Sequence, residues 1–176
     1  NATIEAPVPK PRPLSTFSPQ KTTIPVFTDG STINNGKRAE IVRGGVGVFF
    51  GKNDGRNISK KVIAKKVTNN VCELMACILA IETVLNTHES MSFIEIMIYS
   101  DSEYTINSIV KWADGWEKND YCKKVKGKLI PVKNQIYIKK LHEYYKMYNI
   151  KFHHVRAHKS APDANKQPEK YKMWYG

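Results

Sequence analysis

Hydrophobic positions along this chain follow two different periods, and the change from one to the other marks its elements. Ile24 to Thr28 is a short apolar run that stops at Asp29-Gly30, and Asn34-Asn35-Gly36 punctuates a turn. Gly44 to Gly51 and Ile58 to Val67, the latter alternating apolar residues with lysine, predict two more strands of an antiparallel meander. From Asn70 the period lengthens. Val71, Leu74, Met75, Ile78, Ile81 and Leu85 recur at steps of three and four, the stripe of an amphipathic helix capped by Thr68-Asn69-Asn70. Phe93 to Tyr99 predicts a buried strand, and Ser100-Asp101-Ser102 turns it into a helix containing Tyr104, Ile106, Ile109 and Val110. A strand-helix-strand step of this kind predicts a parallel crossover. After a basic segment, Trp112 to Lys133, come a helix from about Asn134 to Asn149 and a last strand, Ile150 to Val155. The order β-β-β-α-β-α-α-β predicts an α/β fold, a five-stranded mixed sheet of three antiparallel strands and then parallel crossovers, with helices on both faces. No internal repeat interrupts it.

Composition adds boundaries and a partner class. Five of the nine prolines fall between Pro7 and Pro19, which predicts an extended linker over residues 1 to 23 and a folded domain over 24 to 176. The chain opens on Asn1 rather than Met, so an upstream domain joined through that linker is expected. The 176 residues suit one domain, read as a monomer. The longest apolar runs fall short of the roughly 18 to 20 residues of a membrane span, and no signal-peptide pattern is present, so no membrane partner is expected. Cys72, Cys77 and Cys122 are too few and too unevenly spaced for a disulfide framework or a zinc knuckle, which points to an intracellular, reducing compartment. The net charge of +12 and pI near 9.6 are those of a polyanion binder. Residues 111 to 140 hold nine lysines against three acids, so half of that excess sits in thirty residues. Phosphate neutralisation asks for concentration of this kind, whereas solubility does not.

Three acids stand where a solvated carboxylate has no reason to be. Asp29 ends the first predicted strand, Asp101 ends the fourth, and Glu73 lies in the first turn of the helix between them. Ligands of open α/β sheets collect beyond the carboxyl ends of strands, so the three can converge. Three carboxylates held together raise one another's pKa, and hard divalent cations relieve the repulsion. Two Mg²⁺ ions balance three carboxylates and one scissile phosphate, a combination that favours two-metal phosphodiester hydrolysis.

Phe27-Thr28-Asp29-Gly30-Ser31, Thr68-Asn69-Asn70-Val71-Cys72-Glu73-Leu74, Tyr99-Ser100-Asp101-Ser102 and Trp112-Ala113-Asp114-Gly115-Trp116 resemble, in order and spacing, the motifs of ribonuclease H of the cellular type-1 class. The resemblance runs from Ile24 to His158. It implies a ribonuclease H-like fold and an endonuclease cutting the RNA strand of RNA/DNA hybrids. Asp29, Glu73 and Asp101 would bind two Mg²⁺, with Mn²⁺ as a substitute, and His158 would assist proton transfer or product release. Asn35, Asn69 and Asn70 match positions that read RNA 2′-hydroxyls. Thr68, Tyr104, Trp112, Trp116 and Asn134 match DNA contacts, and the Lys111 to Lys128 patch, with Lys123 and Lys124, resembles a basic handle gripping the DNA strand. Tyr121 is interleaved in that patch. The family's fourth ligating Asp, in a Gly-Asn-x-x-Ala-Asp pattern, would begin where the chain stops at Gly176, which implies a domain lacking its C-terminal helix. Asp163 and Glu169 match no motif. A catalytically weak or silent hybrid-binding module, or a related integrase or transposase core, are the alternatives.

Overall fold

The computed structural model describes residues 20–33, 42–64 and 67–156. Asn34 to Gly36, His158, and residues 1–19 of the expected linker lie outside them. Five strands form the main sheet: β1 (Thr22–Ile33), β2 (Val42–Phe49), β3 (Ile58–Ala64), β4 (Ile94–Ser100) and β7 (Ile150–His154), in the order β3-β2-β1-β4-β7. β1, β2 and β3 pair antiparallel, while β4 pairs parallel to both β1 and β7, as the patterning predicts. A separate two-stranded hairpin, β5 (Cys122–Val125) and β6 (Lys128–Pro131), stands apart.

Alternation along the strands decides what the sheet packs against. Val26 on β1 and Ile96 and Ile98 on β4 point to one face, where they meet Leu74, Ile78 and Ile81 of α1 (Asn69–Thr87) and Ile138 and Leu141 of α4 (Gln135–Met147). Each such side chain contributes about 1.5 to 3 kcal/mol when taken out of water. By length and composition α1 is apolar enough to cross a bilayer, unlike the shorter runs noted above, but its apolar stripe is buried in this core. Helices were expected on both faces. Among the described residues they lie on this one, and the other carries Phe49, Phe27, Tyr99 and His153 as cross-strand neighbours in one row. Phe27 and Tyr99 stack at 4.7 Å, and Tyr99 meets His153 at 5.3 Å.

Several boundaries move. β1 starts at Thr22 rather than Ile24, because Thr22 donates to the Phe93 carbonyl at 2.8 Å and Lys21 pairs with the buried Glu95 at 2.6 Å. It runs on past Asp29-Gly30 to Ile33, since β2 supplies pairing as far as Ile33 opposite Arg43. Phe93, expected inside a buried strand, is exposed and precedes β4. The helix after Asp101 runs as α2 (Glu103–Asn107), a π-helical turn (Ser108–Trp112) and α3 (Ala113–Glu117), so Trp112 and Trp116 stand on a helix rather than in a loose basic segment.

Candidate active site and nucleic-acid interface

Where β1 parts from β4, the sheet opens. The last parallel partners are Thr28 and Ser100; from Asp29 onward β1 is paired on one side only, to β2. Asp101 follows the end of β4 directly, so both aspartates border the gap. Asp29 therefore lies inside a strand and not at its end, a correction that leaves its place beside Asp101 unchanged. Glu73 is the fifth residue of α1, just past the first turn rather than in it, because the helix starts at Asn69. It reaches the gap because Gly30 lets the helix come close. A Cβ on Gly30 would stand 2.3 Å from the Cys72 carbonyl carbon and 2.4 Å from the Glu73 nitrogen. Across this approach the Gly30 N–H donates to Glu73 Oε1 at 3.0 Å.

One carboxylate oxygen from each of Asp29, Glu73 and Asp101 lies within 4.8 Å of the others. Glu73 is only 7% exposed, and among the described residues its buried Oε2 has no hydrogen-bond partner. Burial pushes the Glu73 carboxyl up to about 8; the Gly30 bond opposes the shift, and Asp101 and Asp29 add to it. An orphaned buried oxygen between two more carboxylates is a donor set that a hard divalent cation fits. The surrounding backbone is fixed by Ser102, whose N–H donates to Ser100 Oγ at 3.2 Å and whose Oγ accepts from Thr105 N at 3.2 Å. His154, not singled out for the site by the sequence, places Nε2 3.3 Å from the Asp101 carbonyl oxygen.

The residues matched to nucleic-acid contacts fall into two groups. Thr68 caps α1, its Oγ1 accepting from Val71 N at 3.3 Å. Beside it, Asn69 Oδ1 accepts from both the Thr32 N–H at 2.8 Å and the Thr32 hydroxyl at 2.6 Å, leaving its amide NH₂ outward on an exposed residue. Asn70 is half-buried in the same turn. Asn35 and His158 lie outside the described residues. The second group is held on α2, the π-helical turn, α3, β5 and the start of α4. Tyr104 accepts from Asn134 Nδ2 at 3.0 Å, which brings these two together. Asn134 precedes α4 in a left-handed conformation (φ 62). Trp112, 43% exposed, and Trp116 approach at 5.7 Å and, with Lys111 and Gly115, line an open depression of about 530 Å³. Lys123 and Lys124 are exposed on β5. Tyr121, read as part of that patch, is 2% exposed and faces the core instead. It carries an apolar ring whose hydroxyl needs a buried partner, a requirement no local pattern reveals.

The RNase H family model matches residues 21–171. A ribonuclease H of Schizosaccharomyces pombe is 36% identical over 144 residues, covering 82% of this chain and 49% of that protein. The chain thus spans about half the length of that curated relative. A ribonuclease H of Clostridium botulinum is 36% identical over 137 residues, 76% of this chain and 82% of that one. The solution structure of the PFV RNase H domain shares the fold, with a TM-score of 0.56 at 18% identity over 85% of this chain and 89% of that domain. With its sheet order, its acidic gap and a family match over most of its length, the chain belongs to the RNase H family.

Proposed function

We propose that this chain is a metal-dependent endonuclease that hydrolyses the RNA strand of RNA/DNA hybrids. The observation that carries the reading is the convergence of Asp29, Glu73 and Asp101 around a Glu73 oxygen that no donor among the described residues satisfies. Family membership and the ribonuclease H relatives support it. The three carboxylates would hold two Mg²⁺ ions, or Mn²⁺ in their place. When bound, such ions supply Lewis acidity and a clamp for the attacking and leaving oxygens.

The chain's own residues do the rest. The Gly30 N–H fixes Glu73 Oε1 and leaves Oε2 for a cation, while Asp29 and Asp101 add the carboxylate charge that attracts one. Asn69 presents amide hydrogens toward RNA 2′-hydroxyls because Thr32 occupies its oxygen, and Asn70 and Asn35 complete that reading. Thr68, Tyr104 and Asn134 take the DNA backbone, Trp112 and Trp116 its sugars, and Lys123 and Lys124 its phosphates. His158 moves a proton or releases product. Buried, free Cys72 and Cys77, the latter pushed up to about 12 by burial, fit a reducing compartment.

The test is cleavage of a hybrid with a labelled RNA strand, with and without Mg²⁺, by the chain and by Asp101→Asn. Metal-dependent cleavage that falls about a thousandfold in Asp101→Asn, with hybrid binding retained, is expected from the several kcal/mol that such ions contribute. Binding without cleavage by the unaltered chain would select a silent hybrid-binding module instead.

A further inference from the structure

A second group of potential metal ligands, Asp114 and Glu117 of α3 and His142 of α4, lies within 4.8 Å of one another. Its chemistry is that of a clamp. His142 is 0% exposed, and both its nitrogens are engaged: Nε2 lies 2.9 Å from Asp114 Oδ1 and Nδ1 lies 2.7 Å from the Tyr121 hydroxyl. A carboxylate only accepts, so Nε2 carries a proton and donates to Asp114, and in the neutral imidazole Nδ1 then accepts from the Tyr121 hydroxyl. Glu117 is taken by Lys146. No ligand atom of His142 is left over for a metal.

The clamp joins three pieces of chain. Asp114 belongs to α3, which carries Trp116 and directly follows Trp112; Tyr121 is the last residue before β5; His142 belongs to α4. Tyr121 and Asp120 are consecutive non-glycine residues in the left-handed region, at φ 54 and 49, a conformation that persists only where the surroundings impose it. The surroundings here are the His142 bond, the Tyr121 N–H donating to the Trp116 carbonyl at 2.8 Å, and the Tyr121 carbonyl accepting from Val132 N at 2.9 Å. The hairpin that follows has no buried face, every residue of β6 being exposed, so its direction comes from its root. α4 in turn shares one core cluster with Leu74, the neighbour of Glu73 on α1.

We propose that His142 is a positioning residue for the nucleic-acid interface, clamping Tyr121 and Asp114 so that the lysine hairpin and the tryptophan helix keep a fixed bearing on the acidic gap. The inference rests on the hybrid-nuclease reading for its purpose, not for its geometry. His142→Phe keeps an aromatic ring and removes both bonds; Tyr121→Phe removes one hydroxyl and keeps everything else. Each full-length variant is compared with the unaltered chain for tryptic cleavage at Lys123, Lys124, Lys126 and Lys128, and for KM and kcat on an RNA/DNA hybrid. Faster cleavage within the hairpin, with KM raised by about fivefold to tenfold and kcat kept, is the expected result. An unchanged tryptic rate in folded variants overturns the clamp, whatever the hybrid does. A faster tryptic rate with unchanged KM overturns its role in binding and leaves the nuclease reading standing. If His142→Phe does not fold, Tyr121→Phe decides alone, by the same two readouts.

Discussion

The acidic gap and the basic hairpin handle charge in opposite ways. In the gap, like charges are gathered beside a buried glutamate whose carboxyl is pushed up to about 8, and the backbones of β1 and α1 touch at Gly30. In the hairpin, Lys123, Lys124, Lys126 and Lys128 are all exposed, and each cross-strand pair beyond Cys122 and Pro131 joins a lysine to an apolar residue. Water screens the lysines, so their crowding costs little and gives little until phosphates replace that water. The glutamate has no such screen. Charge in the gap is a chemical demand met by tight construction, whereas charge in the hairpin is a surface property that substitutions can tune.

Glycine substitution has the largest effect and sets the tightly built gap against α3, the exposed helix that precedes the hairpin. Gly30→Ala drives a Cβ into the α1 backbone and should destabilise the fold by about 3 kcal/mol, occasionally more. Gly115→Ala in α3 meets nothing within 4 Å and should stabilise by up to about 1 kcal/mol, as alanine does in an exposed helix. Denaturant unfolding of both variants measures the difference; similar losses at the two positions would erase it.

A smaller effect separates the two regions by pH. A carboxyl raised from 4.5 to about 8 holds its proton more tightly in the folded chain than in the unfolded one. The metal-free protein should therefore lose stability as pH rises through that window, by several degrees in Tm, the order of size that a few kcal/mol produces. Glu73→Gln, neutral and still able to accept from Gly30, should flatten the decline. Added Mg²⁺ should raise Tm most at the alkaline end. A decline that persists in Glu73→Gln would assign it elsewhere.

The hairpin gives the smallest stability change and a distinct signature. Replacing Lys123, Lys124 and Lys126 with Ala should leave unfolding within about 0.5 kcal/mol. The log-log slope of hybrid affinity against salt should flatten by up to about one unit for each phosphate that is no longer neutralised. Titrations over a salt series read it directly, and unchanged slopes would mean that these lysines touch no phosphate.

The sequence exposes these regions unequally. Strand alternation in Val46 and Val48 and the helical stripe from Val71 to Leu85 were legible because burial imposes a period. Asp29, Glu73 and Asp101 were legible through motif order, although β1 runs through Asp29 because β2 pairs Ser31 and Thr32 regardless of their polarity. The hairpin was not legible. Lys124, Lys126 and Lys128 alternate with Val125, Gly127 and Leu129, but neither face of β5 or β6 is buried, so no core-facing period marks the two strands. Nor was His142 visible. Its meaning depends on Tyr121, 21 residues away, and on Asp114, 28 residues away, and neither separation is a helical or strand repeat.

The π-helical turn at Ser108–Trp112 holds one residue more than an α-helical turn would. An α-helix turns by about 100° per residue, but a π-helical turn winds its extra residue into nearly the same revolution with a smaller step, so the surplus is absorbed where it arises. Removing Val110, an exposed residue within the turn, would let a regular helix form while Trp112 and Trp116 keep nearly the same heading. The chain would lose one peptide unit and its tryptophans would still look out on the same side, which makes this turn a place where a single-codon deletion is taken up locally instead of being passed along the helix.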